Sequence, residues 1–125
     1  MSSVMKRRIH TFLAAGTIVK GQAVKLSSGS VVVAAAATDR VIGLAQGDAS
    51  SGQAVEVALQ GGGAYGKAAA SISAGNLLSS DGSGNLLKVA NASDIVIAQA
   101  MEDASANDIF EVQVVGPYQA TAAQA

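Results

Sequence analysis

An all-β fold built from two related units is what the sequence predicts, and three observations carry that prediction. The first is a repeat. Residues 41–61, VIGLAQGDASSGQAVEVALQG, return 55 positions later as residues 96–116, VIAQAMEDASANDIFEVQVVG, with nine of the 21 positions identical. The second is composition: 14 glycines stand against one proline, and Phe12, Tyr65, Phe110 and Tyr118 are the only aromatics in 125 residues. Many tight turns around a light, alanine-rich core suit a sheet better than a helical bundle. The third is alternation. Val55, Val57 and Leu59 are separated by Glu56 and Ala58, and Phe110, Val112 and Val114 keep the same phase around Glu111 and Gln113. Period two in both copies gives each an inward and an outward face.

The repeat extends upstream with a shift of 54, which sets Ala15-Gly16-Thr17-Ile18 against Ala69-Ala70-Ser71-Ile72 and Gly21-Gln22 against Gly75-Asn76. One residue added in the turn between Ser79 and Leu86 accounts for the change of shift. The chain is thus expected to be one β domain over residues 15–116, made of two units, 15–61 and 69–116. Residues 1–14 form an extended N-terminal arm and residues 117–125 a flexible C-terminal tail. Two copies are too few for an open solenoid. The units should close on each other as a small duplicated β domain, barrel-like or sandwich, β-tulip-like in outline.

In chain order, the arm carries Lys6, Arg7 and Arg8, then Ile9, His10, Thr11, Phe12 and Leu13, with Ile9, Thr11 and Leu13 on one side. Such a segment suits addition as a strand to a partner; a solvated terminus is the competing reading. Residues 21–35 read as a hairpin around Ser27-Ser28-Gly29-Ser30, echoed by Leu77-Leu78, a turn over 79–85 and Leu86-Leu87-Lys88-Val89. Ala34 to Ala37 reads as the end of a strand, and Val41 to Ala45 as the next one. In residues 47–52 and their copy, Asp48 and Asp103 are expected to bond their own local backbone. Residues 61–73 join the units in extended or irregular form. Pro117 and Tyr118 end the last strand.

Charge is distributed unevenly. Residues 1–25 hold Lys6, Arg7, Arg8, Lys20 and Lys25 with no acid, and the remainder holds three bases and nine acids, for a net charge of -1. The net charge argues against bulk attraction to nucleic acid or to an anionic membrane, and the distribution sets a basic arm before an acidic body. No apolar run reaches the ~20 residues that span a bilayer, and Phe12-Leu13-Ala14-Ala15 is short for a signal-peptide core of about 7 to 15 residues. A soluble chain made in the cytoplasm is the expectation.

Catalytic patterns fare poorly. Gly61-Gly62-Gly63-Ala64-Tyr65-Gly66 satisfies G-x-G-x-x-G and has Asp81 twenty residues beyond its first glycine. That fingerprint needs a helix N-terminus to hold the pyrophosphate, and a repeated β chain does not supply one. Asp81-Gly82-Ser83-Gly84-Asn85 offers oxygen ligands but lacks the further carboxylates and the bidentate glutamate of a calcium loop, so a hairpin turn explains it better. His10 is the sole histidine and cysteine is absent, which leaves no cluster for zinc and no nucleophile with a base. Lys25, Lys67 and Lys88 do not sit at the methionine-flanked hairpin tip of a biotinyl or lipoyl carrier. No enzyme, cofactor or metal is expected. A small-ligand or glycan-binding β module is the alternative, with Tyr65 and Tyr118 as its only aromatic candidates.

The segments Ala15-Gly16-Thr17-Ile18-Val19-Lys20-Gly21-Gln22-Ala23-Val24 and Val41-Ile42-Gly43-Leu44-Ala45, with Gly61 closing the unit, resemble the tailed-phage capsid cement, or head decoration, proteins. The shared order is A-x-x-I-x-x-G-x-x-V, a hairpin, I-G-x-A, a glycine-bearing turn and V-x-V-x-x-x-G. It covers most of residues 15–116. The resemblance implies a structural virion protein with no catalytic residues to carry over. It would bind the outer surface of the major capsid protein lattice, commonly as a trimer at three-fold or quasi-three-fold positions, and stabilise it. The arm, Lys6 to Leu13, is the segment of this chain best suited to touch the capsid.

Overall fold

The computed structural model describes residues 9–91 and 94–119. Every regular element among them is a strand. The strands β1 (Ile9–Leu13), β2 (Ala23–Ser27), β3 (Ser30–Val33), β4 (Gly43–Ala45) and β5 (Ala54–Leu59) form one antiparallel sheet in the order β1-β5-β4-β2-β3. A second sheet contains β6 (Gly63–Lys67), β7 (Leu77–Ser80), β8 (Leu86–Lys88), β9 (Ile95–Ala100) and β10 (Ile109–Gln119), ordered β6-β10-β9-β7-β8. Adding five to each strand number converts one order into the other, so the duplication governs topology as well as letters.

Each sheet curls toward closure. Parallel bridges join Ala14 to Val31 in the first unit and Ala68 to Leu86 in the second, where the Ala15 and Ala69 N–H groups donate to the Val31 and Leu86 carbonyls at 2.8 and 2.7 Å. The segment before β2 is clasped to the loop after β4 through the bridge between Ile18 and Ala49, and its copy joins Ile72 to Ala104. Asp48 and Asp103 belong to this clasp. Their carboxylates accept the Lys20 and Ala74 N–H groups, each at 2.8 Å, from 28 and 29 residues away. The expected local turns are therefore corrected: these side chains fasten two loops together.

The β2–β3 connection is a two-residue turn between Ser27 and Ser30, with Ser28 at φ 51° and Gly29 at φ 85°. Positive φ at both central positions is the type I′ geometry that matches the twist of a hairpin. In the second unit the Asp81 carboxylate accepts the Ser83 and Asn85 N–H groups at 2.8 and 2.9 Å, organising a longer turn.

The first sheet wraps a core of Ile18, Val24, Val31, Val55 and Val57, flanked by Phe12. The larger cluster crosses the boundary between units. Ala23, Leu44 and Ala58 of the first unit pack with Leu78, Leu86, Ile97, Phe110, Val112 and Val114 of the second. Ala58 was expected to face outward with Glu56, yet it is fully buried. It does leave the interior of its own sheet, but the surface it reaches is covered by the second unit.

Three further expectations change. The arm is not free through Leu13, because β1 pairs antiparallel with β5 from Ile9 opposite Ala58 to Leu13 opposite Ala54. Pairing satisfies backbone groups along both strands, and it lets Phe12 cover one end of the core. Lys6, Arg7 and Arg8 lie outside the described residues. The second change is that β3 stops at Val33, since Asp39 Oδ2 captures the Ala35 and Ala36 N–H groups at 2.7 and 3.1 Å and bends the chain. The third concerns Pro117 and Tyr118, which continue β10 instead of ending it. Pairing with β9 resumes at Tyr118 opposite Val96 after an irregularity that follows Val114. Pro117 sits in this irregular stretch, where its missing N–H interrupts no ladder bond. Residues 120–125 lie outside the described ones.

Two predictions follow from this packing. Phe110 is the largest fully enclosed side chain and lies in the cluster shared by both units. Phe110→Ala should cost about 3–5 kcal/mol, and urea unfolding should show one transition for both units. A second transition in the variant would mean that the units fold separately. The other prediction concerns Asp39, whose carboxyl is held below the usual range by the Ala35 N–H and by the Lys25 ammonium at 2.9 Å. A lowered native pKa contributes stability above the ordinary carboxylate pKa, and that contribution is lost as pH falls through the native value. The urea midpoint of Asp39→Asn should lie below wild type at about pH 7, with the gap closing in acid. A gap that stays constant with pH would count against this role.

Candidate functional site

Seven of the nine carboxylates are engaged in holding the backbone. Besides Asp39, Asp48, Asp81 and Asp103, the Asp94 side chain accepts the Ala90 and Asn91 N–H groups at 3.0 and 3.1 Å. Asp108 accepts the Ser105 N–H at 2.9 Å, and Glu102 accepts the Glu111 N–H at 2.8 Å. Each of these seven acids sits where a turn or loop needs an acceptor, whereas Glu56 and Glu111 stand exposed in β5 and β10. Among the described residues no group of three or more His, Cys, Asp or Glu side chains is gathered as a metal site would be.

The glycine-rich stretch has a different role from the nucleotide cradle its letters suggest. Gly63 to Lys67 is strand β6, paired with β10 and followed by the bridge at Ala68. Gly66 serves close packing: a Cβ there would collide with the Leu86 side chain inside the second sheet. Tyr65 and Tyr118 do not form one aromatic platform. Tyr65 stands opposite Glu111, and Tyr118 lies seven residues further along β10, roughly 20 Å away at the rise of a strand. The Tyr65 ring instead receives the Lys20 ammonium at 5.0 Å from its centroid. An open depression of about 240 Å³ lies over the clasp of the first unit, lined by Thr17, Val19, Asp48, Ser50 and Gln53. Asp48 is already bonded to Lys20 there.

What the structure offers is surface. Among the described residues β1 is the edge strand of the first sheet, with β5 on one side and the bridge at Ala14 reaching across to β3 on the other. The predicted alternation is visible in it. Ile9, Thr11 and Leu13 are exposed, whereas Phe12 turns toward the core with the His10 ring 4.9 Å away. Lys6, Arg7 and Arg8 precede this edge directly in sequence. Sequence reasoning grouped Ile9 to Leu13 correctly as one strand. It missed the exposed apolar residues elsewhere, Val19, Leu26, Met101, Ile109 and Tyr118.

Comparison with known proteins adds a family and a fold. A family model described as phage cement protein matches residues 6–124. Among solved structures, the head fiber gp8.5 N base of bacteriophage phi29 superposes with a TM-score of 0.70 at 18% identity, covering 91% of this chain and 98% of that one. No curated protein matches the chain.

Proposed function

Because the chain belongs to the phage cement protein family, we propose that this structural virion protein binds the outer surface of the head lattice formed by the major capsid protein and stabilises it as a homotrimer. The observation that carries the reading is the extent of the family match, which spans both units and the end of the arm. The fold is also that of a head fiber base in phage phi29.

The physical logic is that of a clip. A protein that contacts neighbouring capsid subunits binds only the assembled lattice and stabilises it by mass action. Many copies, each held weakly, then act together. Two small curled sheets suit this role, since they present edges and loops on several sides without a deep pocket. The homotrimer is what the family resemblance suggests, and the exposed apolar side chains of Ile9, Leu13, Leu26 and Met101 are available to such a contact.

The capsid-contact segment is Lys6 to Leu13. Its second half is already ordered as β1, which alters how it would act: β1 presents a formed edge to which a capsid strand could add, and the basic triplet leads it toward acidic surface. Neutralising Lys6, Arg7 and Arg8 should weaken binding to undecorated heads on the order of tenfold at low salt, with the difference shrinking as screening shortens the range of charge. Deleting residues 2–8 should do the same and leave the fold intact, whereas deletion through Leu13 should also destabilise the domain by stripping β5. Unchanged binding of the neutralised variant at both low and high salt, measured by cosedimentation with particles, would show that the acidic body makes the contact.

A further inference from the structure

Three loops gather at one end of each curled sheet. In the first unit they are residues 13–17, 26–30 and 50–54, drawn together where the Ala14 N–H donates to the Gln53 carbonyl, the Gly52 N–H to the Ala14 carbonyl and the Ala15 N–H to the Val31 carbonyl, at 2.8, 2.7 and 2.8 Å. Their counterparts in the second unit, residues 67–71, 80–85 and 105–109, dock on the first unit. The Lys67 N–H donates to the Gly21 carbonyl at 2.9 Å, the Gly84 carbonyl accepts the Ala23 N–H at 2.7 Å, and the Ser83 carbonyl accepts the Gln22 side chain at 3.0 Å. The loop end of a unit therefore fits the flank of a β sheet that offers a glycine and small side chains. Most of these bonds run from backbone to backbone, so the fit demands shape more than particular letters.

We infer that the loop end of the first unit docks in the same manner on a coat subunit, against a strand flank lined by small residues. None of residues 13–17, 26–30 and 50–54 is charged, in a chain of eight bases and nine acids, whereas their counterparts include Lys67, Asp81 and Asp108. Leu13 stands where the second unit has Lys67, and Leu26 where it has Ser80; both leucines are 55% exposed, and Ser80 is 1% exposed. Gly29 shares the positive φ of Gly84, at 85° and 80°, but a Cβ on Gly84 would strike the Val33 side chain and one on Gly29 would meet nothing within 4 Å. Exposed apolar side chains on a surface depleted of charge are the mark of the centre of a contact. A backbone donor is also in place. Leu13 stands opposite Ala54 as Lys67 stands opposite Ile109, so its N–H points away from β5 as that of Lys67 points away from β10.

The occupant is a coat subunit and not a second copy of this chain. In the first sheet the flank that receives a loop end includes Leu44 and Ala58, and it is taken by the second unit of the same chain. The second sheet has Gln99 and Gln113 at those places, and the Gly75 carbonyl, the counterpart of that of Gly21, accepts the Gln99 side chain at 3.1 Å. Amides there do not match an apolar loop end. Continuity points the same way, since β1 runs from the end of the basic triplet to Leu13, and the proposed capsid-contact segment thus finishes on this surface. Ile9 and Met101 remain for contact between copies. The inference rests on the capsid-binding reading and deepens it, adding an uncharged contact to the charged one.

Cosedimentation of the full-length protein with undecorated heads tests the contact. Leu26→Asp should weaken binding on the order of tenfold or more, because a carboxylate would be buried without a partner. Unlike the effect of neutralising the basic triplet, this loss should persist at high salt. The chain has no cysteine, so a photo-cross-linker can be placed at a single position. A benzophenone maleimide attached at Ser51→Cys, on the exposed loop end, should join the major capsid protein when decorated heads are illuminated. Attached at Ala106→Cys, the equivalent exposed position of the second unit, it should not. Wild-type affinity of a folded Leu26→Asp protein, adducts from position 51 only to a second copy of the chain, or capsid adducts from position 106 alone would each overturn this contact while leaving capsid binding established. Wild-type protein that fails to bind heads would overturn the capsid-binding reading and the contact with it.

Discussion

The fold depends on one shared surface, where Ala23, Leu44 and Ala58 of the first sheet meet the second unit. Neither curled sheet of about fifty residues buries enough apolar area to stand securely alone, because small chains keep too large a fraction of their surface in water. Joining them converts the outside of the first sheet into interior. Alanine and glycine are what make the join close. Lys67 reaches the Gly21 carbonyl only because Gly21 has no Cβ, and the Gly84 turn enters beside Val33 for the same reason. A larger residue at either place would separate the units and expose Leu44 and Ala58 together.

Around that surface the two units repeat their polar detail as closely as their strand order. Asp48 with Lys20 matches Asp103 with Ala74, Gln22 with Val19 matches Asn76 with Ser73, and Asp39 with Ala35 matches Asp94 with Ala90. These are side-chain acceptors for backbone N–H groups that the short strands leave unpaired, and such groups cost free energy when buried without a partner. A β domain in which nine of the ten strands have only three to six residues has many of them. That is why most of the nine acids lie in its loops and have structural work there.

Much of this was legible in the sequence for physical reasons. Val55, Val57, Phe110, Val112 and Val114 reveal the buried face because a strand alternates with period two and the core tolerates only one phase. The first strand of each unit was harder. Ile9 to Leu13 and Gly63 to Lys67 occupy the same place in the two sheets yet share no residue at any aligned position. An edge strand is constrained through its backbone more than through its side chains, so duplication left no trace in the letters. Ala58 was misplaced because alternation reports which residues leave a sheet's interior, and cannot report whether a second layer lies beyond. For Asp48, the local sequence looks like a turn, and only the fold brings Lys20 to it.

The two units differ where the first is covered by the second. Leu44 and Ala58, buried in the shared cluster, are replaced in the second sheet by Gln99 and Gln113, which are half-buried, and Gln46 is replaced by Met101. The direction of the first two exchanges has a physical sense: an aliphatic side chain on the outside of a sheet is stabilising where a second layer removes it from water, and an amide is tolerated where water still reaches it. Inside one chain the second unit is always present at high effective concentration, so the contact needs little affinity of its own, and the Gln46 hydrogen bonds to the Tyr65 backbone serve chiefly to fix its geometry.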